Sequence, residues 1–130
     1  MIDFEKLRLK KTPNQYIVAP EGLCKEAEPH RTAPVYPVSA PELQQLWDKF
    51  VSKQPRITRK DADEANMKFE LVQRTALFRF PDTITVQFIQ LSDPNQSTLA
   101  IYSRSKYGRS DFGQNKKRIN AWLSALHKEL

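Results

Sequence analysis

Residues 83–88 alternate strictly, with Ile84, Val86 and Phe88 set against Thr83, Thr85 and Gln87. A period of two is the mark of a β-strand with one buried face, and the β-branched residues suit it. Neighbouring stretches carry the same pattern. Met67, Phe69 and Leu71 alternate with Lys68 and Glu70, and Leu99 and Ile101 alternate with Ala100 and Tyr102. A further apolar stretch, Ala76 to Phe80, precedes the break at Pro81-Asp82, and Ser92-Asp93-Pro94-Asn95 is a turn signature. The links between these stretches are too short for parallel crossovers, which dictates an antiparallel meander.

Two helices flank the meander. Ser39 is a strong N-cap, with Glu42 three residues on and Pro41 in the first turn, where its missing N–H costs nothing. Leu43, Leu46, Trp47, Phe50 and Val51 recur on one face, and Pro55 ends the run, giving a helix over about 40–53. A second helix over about 111–127 carries Ile119, Trp122, Leu123, Leu126 and Leu130, with Ser110-Asp111 and Gln114 at its start. Ahead of the first helix, Pro13, Pro20, Pro29, Pro34 and Pro37 disfavour regular structure. Residues 1–34 are therefore expected to be an extended arm, anchored by Tyr16, Ile17 and Val18, with a short edge strand at Val35–Val38. The expected fold is α+β: a single domain over 1–130 whose core, 35–130, packs an antiparallel sheet of four to five strands against two helices on one face. A long C-terminal helix on a curved sheet would resemble helix-grip proteins.

A chain of 130 residues, 39% apolar and 28% charged, has enough core to fold without staples. Cys24 is the lone cysteine, so no internal disulfide forms, which suits a reducing compartment. Charges at the N-terminus and the lack of any apolar run of about 18–20 residues predict a soluble, cytoplasmic protein. The net charge of +6 favours anionic partners. There is no Gly-rich phosphate loop, no nucleophile elbow and no His-x-x-x-His. With His30 and His127 far apart, neither a metal nor a cofactor is expected. Trp47 and Trp122 lie on the apolar stripes and are assigned to the core.

The run Ser103 to Arg118 stands apart. It joins the last strand to the last helix and holds Gly108 and Gly113. Arg104, Lys106, Arg109, Lys116, Lys117 and Arg118 surround a single acid, Asp111. Cations beside a helix N-terminus, with its free N–H groups, favour phosphate or carboxylate. The same residues can equally serve the fold: Asp111 can cap the helix and pair with Arg104 or Arg118, and Asn115 can satisfy the turn.

The pattern Ser-x-Ser-[Arg/Lys]-x-Gly-x-Ser-Asp-[Phe/Leu]-Gly-x-Asn-[Arg/Lys]-x-Arg, closing onto an amphipathic helix, resembles the signature of domain-of-unknown-function family 1499, found in bacteria and plastids. Thr12-Pro13-Asn14 is similar to that family's N-terminal opening, and Phe80-Pro81-Asp82 with Ile84-Thr85-Val86 to its Asp-containing strand pair. The likeness runs from about Thr12 to Leu126. Gln15 stands where members commonly carry Cys, so no cysteine chemistry is carried over. Lys106 and Lys116 stand where Arg is common, keeping charge without the bidentate fork. The resemblance implies a shared fold and a shared polar cluster, but no reaction.

Three functional readings follow. The first is a non-enzymatic binding or assembly module, taking a small anionic or amphipathic ligand or a protein partner at Arg104, Lys106, Arg109, Asp111, Asn115 and Arg118, with Asp82 alongside. The second is a nucleic-acid-binding protein using the basic loop, for which only Tyr102, Tyr107 and Phe112 offer stacking groups nearby. The third is a hydrolase-type enzyme using Asp111 or Asp82. A lone carboxylate among cations stays ionised and is a poor general acid, and no nucleophile–base pair is evident.

Overall fold

The computed structural model describes residues 1–130. The chain forms strand β1 (Gln15–Ala19), strand β2 (Arg31–Thr32), helix α1 (Ala40–Val51), strand β3 (Ile57–Asp63), a 3-10 turn (Glu64–Asn66), strands β4 (Lys68–Arg74), β5 (Pro81–Gln90) and β6 (Ser97–Ser105), and helix α2 (Gln114–Lys128). The alternating residues around Ile84 lie in β5, a ten-residue strand near the middle of the sheet. Ile84, Val86 and Phe88 face the helices together with Leu99 and Ile101 of β6.

The sheet has six strands in the order β2-β1-β6-β5-β4-β3. It is mixed, because β1 and β2 run parallel while every other pair is antiparallel. The expected four to five antiparallel strands undercount it in three places. Pro13 and Pro20 bracket β1 and leave its interior free to pair with β6 and bury all five residues. Residues 1–34, expected as an irregular arm, thus supply two strands of the sheet. β3 reads Ile-Thr-Arg-Lys-Asp-Ala-Asp and hid behind its charges, which guard an exposed sheet edge against foreign strands. The stretch Ala76–Phe80 is a hairpin loop, not a strand, and Val35–Val38 contributes only one bridge, Tyr36 to Ser97.

Both helices cover one face, as the amphipathic stripes predict. Trp47 sits edge-on to Trp122, ring centroids 5.5 Å apart, and to Phe88 at 6.0 Å. The volume between helices and sheet is filled by these rings with Leu43, Leu123 and Leu126. The opposite face is covered by the N-terminal residues: Phe4 is buried against Ile17, Ala19, Ala100 and Tyr102. α1 begins as its cap predicts, with Ser39 Oγ accepting from the Glu42 N–H. α2 begins at Gln114 rather than Asp111, and Leu130 lies outside the stripe at 41% exposure. That stripe instead extends towards the N-terminus through two polar residues, Asn115 and Arg118, both buried.

Candidate functional site

Strand parity divides the Ser103–Arg118 cluster. Successive side chains of β6 point to opposite faces. Ser103 and Ser105 face α2, whereas Arg104 turns to the other side with Tyr102. There Arg104 donates to Thr85 Oγ1 at 2.9 Å, approaches Glu70 at 3.4 Å and lies 4.7 Å over the Tyr102 ring. Tyr102 in turn donates its hydroxyl proton to Gln15. Arg104 therefore shares no site with Asp82, Asp111, Asn115 and Arg118, and it is not the partner of Asp111.

On the helix face those four residues join one buried polar network. Arg118 donates through Nη2 to Asp82 Oδ2 at 2.7 Å, and each side chain is 2% exposed. Its Nε donates to Gln73 Oε1 at 2.6 Å, and its Nη1 to Asn115 Oδ1 at 2.9 Å and Ser103 Oγ at 3.1 Å. The Ser103 hydroxyl donates to the same Asn115 oxygen at 2.6 Å. Asn115 Nδ2 donates to Asp111 Oδ2 at 2.6 Å and to Ser105 Oγ at 2.9 Å. Asn14 joins from β1's approach: its carbonyl accepts from the Ser105 N–H at 3.0 Å, and its side chain donates to the Gly108 carbonyl at 2.6 Å. Thr12 Oγ1 holds the Asn14 amide oxygen at 2.8 Å. Four segments distant in sequence, at Thr12–Asn14, Gln73, Asp82 and Ser103–Arg118, thus meet in one structure.

Asp111 occupies the helix N-terminus itself. One oxygen accepts from the Gly113 N–H and the other from the Asn115 N–H, both at 2.9 Å, while its carbonyl accepts from the Gln114 N–H at 3.0 Å. Gly113 takes φ 78°, a left-handed geometry that suits a residue without Cβ. Burial pushes the Asp111 carboxyl up, but the Asn115 and Gly113 hydrogen bonds outweigh it and hold the group below its ordinary value. Two of the amides expected to greet an external anion, those of Gly113 and Asn115, are already taken by this internal one.

The remaining cations point outwards. Lys106, Arg109, Lys116 and Lys117 are exposed, and none lies in an ion pair. Beside Lys116 opens a surface cleft of about 500 Å³ bounded by Thr12, Pro13, Tyr16, His30, Ser110, Asp111 and Lys116. His30 stacks on Tyr16 at 5.2 Å, and its Nδ1 accepts from the Ile17 N–H at 3.0 Å. That hydrogen bond requires an unprotonated Nδ1. Partial loss of water, helped by Lys116, holds the imidazole below its ordinary 6.5. The unfolded chain then binds the extra proton first, so stability rises with pH up to about 6.5 and falls as pH drops below it. An NMR titration of the His30 ring is expected to give a midpoint under 6.5; one at or above 6.5 would contradict the Nδ1 bond.

His30, Thr12, Asn14, Gln73, Ser103 and Ser105 join the corner although they are not among the site residues expected from the sequence. Gln73 was detectable: it continues the inward series Phe69, Leu71, so a polar group had to be buried there. No group of three or more His, Cys, Asp or Glu side chains comes together as a metal could require. No helix is long and apolar enough to cross a membrane.

The profile of the family described as "Protein of unknown function (DUF1499)" matches residues 8–126. The chain belongs to this family. The matched span takes in every member of the buried network, from Thr12 to Arg118. Among solved structures, the chain is similar to the crystal structure of an uncharacterized protein from Bacillus thuringiensis, a structural-genomics target. The TM-score is 0.58 at 14% identity, covering 75% of this chain and 95% of that one. That likeness shows a shared fold and nothing about activity. No curated protein matches the chain in sequence.

Proposed function

We propose that this DUF1499 protein is a non-enzymatic binding module whose contact surface is the exposed basic half of the last strand-to-helix corner. Lys106, Arg109 and Lys116 and the adjoining cleft would receive an anionic group. Asp82, Asn115 and Arg118 would take no part in contact; they would hold the corner in shape. The supporting observation is the division of labour around one signature: its single carboxylate, Asp111, is consumed internally, as is Asp82 beside it, whereas its outward cations make no ion pair. The enzymatic reading loses support from the same geometry. Asp82 is locked to Arg118, and Asp111 has each oxygen occupied, so neither is free to trade a proton with a substrate.

Titration of the isotope-labelled protein with inorganic pyrophosphate, followed by amide chemical shifts, tests this reading. The largest changes are expected at residues 106–116 and around Thr12 and His30, and they should vanish in the Lys106→Ala/Arg109→Ala/Lys116→Ala variant. Changes of equal size around distant cations such as Lys25 and Lys128 would refute a defined site.

A further inference from the structure

Two loops leave the same end of the sheet and expose most of the large apolar side chains that the fold does not bury. The β4–β5 hairpin presents Leu77, Phe78 and Phe80 at 79%, 68% and 51% exposure. The β6–α2 corner presents Tyr107 at 57% and Phe112 at 93%. The loops are neighbours, because the Lys106 N–H donates to the Pro81 carbonyl at 3.2 Å where β5 begins and β6 ends. A monomer seldom gathers such groups without using them.

The hairpin loop is a built feature. The Thr75 N–H donates to the Phe80 carbonyl at 2.9 Å, the Arg79 N–H to the Thr75 carbonyl at 3.1 Å, and the Phe80 N–H to Thr75 Oγ1 at 3.0 Å. Arg74 Nη1 donates to the Arg79 carbonyl at 2.9 Å. Arg79 itself is held at φ 58°, a left-handed geometry unfavourable to a side-chain-bearing residue. These contacts fix a turn that presents Leu77 and Phe78 to solvent, with Phe78 and Phe80 stacked at 5.6 Å.

Cations outnumber free acids around this tip. Around the apolar tip stand the exposed cations Arg56, Arg74, Arg79, Lys106 and Arg109. The acids in the same loops, Asp82 and Asp111, are turned inward and satisfied. The opposite end, where β1, β3 and β5 finish, mixes signs: Glu21, Glu26, Asp63, Glu64 and Asp93 stand among Arg8, Lys25 and Lys68.

We propose that this tip docks on an anionic lipid bilayer, inserting Leu77 and Phe78 at the interface while the surrounding Arg and Lys side chains contact headgroup phosphates. The proposal deepens the anion-binding reading by naming its partner. A bilayer fits better than a protein because the apolar groups crown a convex turn and line no groove. Aromatic rings suit the headgroup level, long cationic side chains reach around them, and each cation near an anionic surface adds to the attraction.

Sedimentation with vesicles of phosphatidylcholine mixed with phosphatidylglycerol tests the proposal against vesicles of phosphatidylcholine alone. Binding is expected to the mixed vesicles, weakening as salt screens the charges. Leu77→Ser/Phe78→Ser, changed only at exposed positions, should lower the partition coefficient at least about tenfold. It should leave the pyrophosphate shifts intact. Absence of vesicle binding, or binding indifferent to that double change, overturns the proposal. So does a solution dimer that the same change dissolves, which would assign the tip to a second copy. Intact pyrophosphate shifts without vesicle binding defeat the membrane proposal alone; loss of both defeats the anion site as well.

Discussion

Replacing Arg118 with Met is expected to destabilise the protein by about 3–5 kcal/mol, because it leaves the Asp82 carboxylate buried without its counter-charge. Asp82 is 2% exposed, so water cannot take the place of the guanidinium. Gln73, Ser103 and Asn115 lose donors in the same step. The Asp82→Leu/Arg118→Met double variant should be less damaged than Arg118→Met, since removing both ions removes the desolvation debt along with the attraction. Urea unfolding of the three proteins reads this directly. A double variant worse than Arg118→Met by several kcal/mol would place the cost in packing rather than charge.

Asn115→Ala is expected to destabilise by about 2–4 kcal/mol, through groups left unpaired rather than through lost volume. The Asn115 side chain joins two β6 hydroxyls, the Asp111 carboxylate and Arg118. No water can reach the vacated positions easily, as Ser103 and Asn115 are fully buried. The first turn of α2 should fray, and amide exchange should quicken over residues 113–118 before it does in the rest of the helix. Asn115→Asp is not a rescue: it sets a second carboxylate against Asp111, 2.6 Å from the atom that now donates to it. A midpoint unchanged in Asn115→Ala would show that solvent or neighbours satisfy these groups after all.

How much of this was legible in the sequence depended on whether a local rule or a tertiary one decided the outcome. α1 was readable because its cap, its first-turn Pro and its stripe all agree. β5 was readable because burial on one face imposes a period of two. β3 was not, since an edge strand needs no apolar series and gains from charge. β1 was hidden because prolines at both borders looked like a veto on structure between them, whereas they only mark its limits. The corner was the subtlest case. Its run of cations and glycines reads as one patch, but β-strand alternation sends Arg104 through the sheet to Glu70, and helical spacing sends Asn115 and Arg118 inwards. Lys116 and Lys117, between them, stay outside. No linear motif shows that separation until strand and helix phases are fixed.

The buried half of the signature is one cooperative fastening of α2 to the sheet. A double-mutant cycle between Asn115→Ala and Arg118→Met, read by urea unfolding, tests it most directly. Both side chains hold the Ser103 hydroxyl and each other, at 2.6–3.1 Å. The predicted result is two destabilised single variants whose losses fall short of additivity by about 1–3 kcal/mol. Losses that add within about 0.5 kcal/mol, or a midpoint that rises as it often does when a strained functional group is removed, would contradict it.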